Sequence, residues 1–172
     1  MAVRFAMGSE WILELKEVGA IRVSIQLIKK LRKYCQLDPK DPESGGILVG
    51  SHLNSGGAYI IDGFTDPQPS DRQSRHSYYR SEDHNIIVQR IWKESNQMST
   101  YVGLWHTHPE PIPEYSGIDK SDWISAINHS QYEGDFLFFF ILGQTHLRCW
   151  VSSKKYKWRK IKLLGEYKID ND

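Results

Sequence analysis

The stretch GLWHTHPEPIPEYSGIDKSDW, residues 103–123, carries His106 and His108 one residue apart, then Pro109, Pro111 and Pro113, and Asp119 eleven positions after the second histidine. The run TYVGLWHTH (100–108) reads as a strand. Side chains alternate across a sheet, so residues i and i+2 point to the same face. Pro109 ends the strand and EPIPEYSG (110–117) turns the chain back. Asp119 opens DKSDWISAINHS (119–130), read as a helix with Trp123, Ile124 and Ile127 on one face. A carboxylate at a helix start is favoured by the macrodipole. Two histidines and a carboxylate that converge, with a fourth position open, are a catalytic zinc composition. Each piece has a plainer reading: paired histidines on a strand face are more often surface residues, and SGID (116–119) also fits a capping box. Their conjunction, with proline after the second histidine, points to a metal.

Outward from this stretch, the chain reads as alternating strands and helices. WILEL (11–15) alternates as a strand, and SIQLIKKLRKYCQL (24–37) has helical spacing of Ile25, Leu27, Ile28, Leu31 and Tyr34 with Ser24 as N-cap. GGILVG (45–50) and AYIIDGF (58–64) read as a hairpin joined by SHLNSGG, followed by a long polar loop over 66–80 and a helix over 81–95. FLFFFIL (136–142) and HLRCWV (146–151) read as strands with Gly143 at their turn, and YKWRKIKLL (156–164) as another. The expected fold is one α/β domain over 1–172, a mixed central β-sheet flanked by helices.

Composition narrows the function classes. The 172 residues are 40% hydrophobic and 25% charged, with formal net charge +1. That balance gives no electrostatic case for nucleic acid or membrane partners. Cys35 and Cys149 are far apart and outside any C-x-x-C pair, which argues against a disulfide framework and fits a reduced, cytoplasmic setting. No apolar run in the first twenty residues is long enough for a signal peptide, and FLFFFIL is far short of the roughly 20 residues that span a bilayer.

Glu43, in PESGGILVG (42–50), is either a solvated loop carboxylate or a general base. A hydrolytic zinc site needs an acid/base group that is not itself a ligand. The composite of Glu43, His106-x-His108-Pro109, six residues, and Ser116-x-x-Asp119 resembles the JAMM motif of JAB/MPN metalloproteases. GGILVG and VGLWHTHP support the resemblance, which spans roughly residues 20–150. It is closest in kind to prokaryotic JAB proteins, among them the deconjugases of bacterial CBASS antiphage operons. Leu104 is a departure, since the family often has Glu there. The resemblance implies a JAB/MPN-like, cytidine-deaminase-like layered fold and one Zn²⁺ per chain held by His106, His108 and Asp119. It further implies Glu43 as acid/base and Ser116 as a donor to the developing oxyanion. The implied substrate is a bond after the C-terminus of a ubiquitin-like modifier, or of a cGAS-like nucleotidyltransferase joined to target lysines. Alternatives are a JAB peptidase that trims a small sulfur carrier, and a non-catalytic MPN-like module. A zinc deaminase is rejected because no P-C-x-x-C is present. Within 66–80, Arg72, Arg75, Arg80 and Tyr78–Tyr79 are the expected surface for an extended tail.

Overall fold

The strand FLFFFIL is apolar throughout because both of its faces are covered. It is β8 (Phe136–Leu142) in a computed structural model that describes residues 9–53 and 58–169. Phe138, Phe140 and Leu142 enter one hydrophobic cluster, and Leu137, Phe139 and Ile141 enter another on the opposite face. Before it in the chain come β1 (Glu10–Leu15), β2 (Gly19–Ser24), α1 (Ile25–Leu31), β3 (Gly45–His52), β4 (Tyr59–Phe64), β5 (Arg72–Ser74) and β6 (Ser77–Tyr79). Then follow α2 (Asp83–Glu94), β7 (Thr100–Thr107) and α3 (Gly117–His129). After β8 come β9 (His146–Ser153) and β10 (Lys162–Lys168). Eight strands form one mixed sheet in the order β1-β2-β4-β3-β7-β8-β9-β10, while β5 and β6 pair as a separate hairpin. The β2–β4 and β7–β8 pairs are parallel.

Helix α1 buries Leu27, Ile28 and Leu31 on one face of the sheet, in the cluster that also holds Leu48, Trp105 and Phe138. Helix α3 packs Trp123, Ala126 and Ile127 on the other, where Trp123 stacks on Phe139 with centroids 4.6 Å apart. Helix α2 adds Val88 and Ile91 to the α3 side. The result is a layered α/β arrangement, as the sequence leads one to expect. Among the described residues no helix is long and apolar enough to cross a membrane.

Four local readings change. Strand β2 was not among the expected elements, although Ile21, Arg22 and Val23 alternate buried and exposed, and α1 is shorter than 24–37, passing at Arg32–Tyr34 into a 3-10 turn. Ser24 does cap α1, its hydroxyl accepting from Leu27 N at 3.4 Å. The stretch 66–80 contains the β5–β6 hairpin. The expected strand 156–164 begins only at Lys162, because β9 runs to Ser153 and the chain needs residues 154–161 to reverse. In that turn Trp158 and Arg159 adopt positive φ of 59° and 52°, and Trp158 is 85% exposed. Most of the tip of the β3–β4 hairpin, residues 54–57, lies outside the described residues.

β7, α3 and β8 form a parallel crossover unit, so the β7–α3 connection lies beyond the carboxyl end of β7. In open α/β sheets that is where ligand sites form.

Candidate metal centre

Alternation along β7 sends successive side chains to opposite faces of the sheet. A register shift against β3, between Leu48 and Val49, resets the alternation near Val102. Beyond it, Leu104 and the histidines face α3, while Trp105 and Thr107 face α1. His106 and His108 are buried and aim their Nε2 atoms at each other, 3.1 Å apart. Asp119, in the first turn of α3, completes the group: Oδ1 lies 3.1 Å from His106 Nε2, and Oδ2 lies 3.1 Å from His108 Nε2. Two imidazole nitrogens facing each other need a proton or a cation between them. Tetrahedral zinc with ligand bonds of 2.0–2.1 Å has edges of about 3.3 Å. The histidine–histidine spacing is close to such an edge, each histidine faces one oxygen of Asp119, and the donors are those zinc takes. The group could hold a metal ion.

Second contacts orient the donors. Glu110 Oε1 lies 3.0 Å from His108 Nδ1, which holds the Nδ1–H tautomer and leaves Nε2 free as a ligand. The same oxygen accepts from Glu114 N at 3.0 Å. The proline loop is bonded to the β8–β9 turn, with Gln144 N donating to Glu110 O at 2.7 Å and Thr145 N to Pro111 O at 3.1 Å. Gly143 permits this approach, since a Cβ there would meet Pro111 O at 2.4 Å. Burial lowers the proton affinity of His108, but the bonds to Asp119 and Glu110 outweigh it and push the pKa up to about 9. Burial raises the Asp119 carboxyl, and the two histidines more than reverse this, holding it well below the usual carboxylate range.

Ser116 caps α3, and the capping box is present: Asp119 N donates to Ser116 Oγ at 3.1 Å, and Ser116 N donates to Asp119 Oδ2 at 2.8 Å. The capping box therefore leaves Asp119 within the group that could hold a metal. The cap uses a lone pair of the Ser116 hydroxyl, so its proton remains free to point into the adjoining cavity of about 570 Å³, which Ser116 lines.

Glu43 lines the same cavity. β3 pairs antiparallel with β7, Gly45 opposite His106, and Thr107 N donates to Ser44 O at 2.9 Å. Two residues further along that register sets Glu43 across from His108. Directly opposed residues share a face, so Glu43 arrives on the side of the ligand group. Gly46 allows the strands around it to close up, since a Cβ there would meet Thr65 O at 2.3 Å. Glu43 is 6% exposed, and burial pushes its carboxyl up to about 7, against the field of His108.

Of the residues in 66–80 expected to face a peptide, several are bonded internally. Arg80 forms a two-pronged pair with Asp122 of α3 at 3.2 and 3.3 Å. Arg75 Nη1 donates to Asp38 O and Pro39 O. The Tyr78 hydroxyl lies 2.8 Å from Gly45 O and 2.7 Å from Asp71. Arg72, lying over the Tyr79 ring at 5.2 Å, and Tyr79 itself are exposed at the cavity rim. Sequence reasoning missed Glu110, although it stands two residues after His108. It also missed buried His84, whose ring bonds Thr65 Oγ1 at 2.6 Å and Asp71 Oδ2 at 2.8 Å and so ties β4, the hairpin and α2 together.

The motif geometry agrees with what the chain is similar to. A family model described as prokaryotic homologs of the JAB domain matches residues 24–158. A Pseudomonas aeruginosa protein named CD-NTase/cGAS isopeptidase is 33% identical over 104 residues, 60% of this chain and 65% of that one. An Escherichia coli protein of the same name is 32% identical over 103 residues, 59% of this chain and 65% of that one. The matched region thus spans less than two thirds of the length of these relatives. The solution structure of a Desulfitobacterium hafniense protein superposes with a TM-score of 0.58 at 15% identity, covering 83% of this chain and 88% of that one, a likeness of fold alone. With the family model covering most of the chain, and with the histidine pair, Asp119 and Glu43 gathered at one cavity, the chain belongs to the prokaryotic JAB-domain family.

Proposed function

We propose that this chain is a cytoplasmic zinc-dependent isopeptidase that frees the C-terminal tail of a cGAS-like nucleotidyltransferase, or a similar ubiquitin-like tail, from lysines of its targets. One observation carries the reading: Glu43 and the His106/His108/Asp119 group line one cavity although they come from distant parts of the chain. The names of the relatives support the choice of substrate. Zinc at these three residues would supply Lewis acidity, lowering the pKa of a water and drawing charge from the scissile carbonyl. Glu43 takes the proton that the attacking water sheds and passes it to the departing lysine amine, as the C–O bond forms and the C–N bond breaks. A carboxyl whose pKa burial has raised to about 7 both accepts and releases a proton near neutral pH. A bound dication would draw that value back down. The Ser116 hydroxyl donates to the carbonyl oxygen as it gains charge. Exposed Tyr79, Arg72 and Ile118 line the approach.

The test is cleavage of a fusion that bears a nucleotidyltransferase C-terminal tail on a carrier protein. The expected result is a single cut after the last tail residue, abolished by a chelator and restored by zinc. Cutting a sulfur-carrier fusion instead would move the substrate to that class. Zinc-loaded protein that cuts neither would support a binding module.

Ser116→Ala separates the two roles of that residue. Loss of the cap costs about 1 kcal/mol, while the backbone bond from residue 116 to Asp119 survives the substitution. Zinc content stays, and turnover falls about 10²-fold, the scale of one lost oxyanion donor. A thermal melt with unchanged turnover would leave Ser116 as a cap alone.

A further inference from the structure

Gln36 follows the 3-10 turn after α1 and is completely buried. Three segments around the cavity share its side-chain amide. Thr107 Oγ1 donates to Gln36 Oε1 at 2.9 Å, and Gln36 Nε2 donates to Asp41 O at 3.1 Å and to Arg75 O at 3.0 Å. Its own backbone carbonyl accepts from Gln144 Nε2 at 2.9 Å. Each partner stands close to a group of the candidate site. Thr107 lies between His106 and His108, Asp41 stands two residues before Glu43, and Arg75 is at the tip of the β5–β6 hairpin. Gln144 is the residue whose N–H holds Glu110 O.

The direction of these bonds is determined. Thr107 Oγ1 accepts from Ser44 N at 2.9 Å, so its proton turns to Gln36 Oε1. The amide nitrogen must then face the two carbonyls, and a flipped amide would set oxygen against both. Ser44 directly follows Glu43. A chain of bonds thus runs from the Glu43 segment through the ligand strand to Gln36, and back to the Glu43 segment and the hairpin. The hairpin also grips Glu43 itself, with Glu43 N donating to Ser74 O at 2.8 Å and Gln73 Nε2 to Glu43 O at 2.9 Å.

We propose that Gln36 is a positioning residue: its buried amide sets the Glu43 segment against the His106/His108 strand and ties it to the β5–β6 hairpin. The geometry stands by itself, and only the rate readout rests on the peptidase reading. A group moved by about 1 Å can lose about 10²-fold in rate.

The experiment uses the full chain as wild type, Gln36→Met, which keeps length and removes every side-chain bond, and Thr107→Val, which breaks the chain of bonds at its other end. Amide hydrogen exchange should quicken at Glu43, Ser44 and the hairpin in both variants and stay slow in β8 and β9. Zinc content should match wild type. On a tail fusion, kcat should fall about 10- to 10²-fold with KM within about twofold. In a Glu43→Gln background, Gln36→Met should change the residual rate less than about twofold, because the two act through one group. A packing role alone would give additive losses, and additivity overturns the proposal. If wild type cleaves nothing, the peptidase reading fails, and exchange decides for Gln36: local quickening upholds the positioning role, and unchanged exchange in both variants overturns it. If Gln36→Met does not fold, Thr107→Val decides by the same readouts.

Discussion

His108→Ala protein is expected to purify without zinc and without peptidase activity. In the wild-type chain three residues would hold the ion: the two histidine Nε2 atoms lie 3.1 Å apart and each lies 3.1 Å from a different oxygen of Asp119, whereas the substitution leaves His106 and Asp119 as a bare pair. Losing an outer carboxylate of a metal site weakens binding about 10- to 100-fold. That is the loss expected of Glu110→Ala, which removes only the partner of His108 Nδ1. Removal of a donor itself exceeds it. The metal also competes with a proton for His108 Nε2. Since the neighbouring carboxylates raise that pKa to about 9 in the metal-free chain, protons win increasingly as pH falls below that value, and zinc affinity falls with it. Metal analysis of wild type and variant side by side checks this. Equal zinc in the two would remove His108 from the ligand set.

Glu43→Gln protein is expected to keep its zinc and its melting temperature to within a few degrees, yet to lose cleavage of a tail fusion by at least about 10²-fold. Proton transfer by a placed group contributes typically 10²- to 10⁴-fold, and an amide of the same shape cannot take up the proton. Zinc stays because Glu43 stands outside the His106/His108/Asp119 group. The fold stays because the Glu43 backbone, not its carboxylate, bonds Ser74 and Gln73. Burial disfavours the Glu43 anion and offsets its attraction to His108, so a modest change in stability is compatible with the same loss of rate. Zinc assayed on the kinetic samples separates the alternatives: an active variant points to another base, and a zinc-free one makes Glu43 a ligand.

The convergence of His106, His108 and Asp119 was legible because it is local. Three donors within fourteen residues, on a strand end, a proline-stiffened loop and a helix start, have few ways to lie apart. The same run states a helix cap, which the structure contains at Asp119, and a carboxylate has two oxygens and lone pairs enough to serve a backbone N–H and a cation together. The hairpin within 66–80 was hidden because its two strands are three residues each, too short for alternation to register. Trp158 misled for the opposite reason, lending alternation to a segment in which its indole is exposed.

The sequence by itself determined the α/β class, through its succession of strand and helix patterns, and the convergence of His106, His108 and Asp119. Periodicity and donor spacing are properties of short windows. Only the tertiary structure decided that Glu43 stands beside that set, that Arg75 and Arg80 are committed to internal bonds, and that Gln36 and His84 are buried nodes. Each depends on strand register or on a pairing across tens of residues. Burial alone converts such groups from solvated side chains into fixed donors, acceptors or a carboxyl titrating near neutral pH.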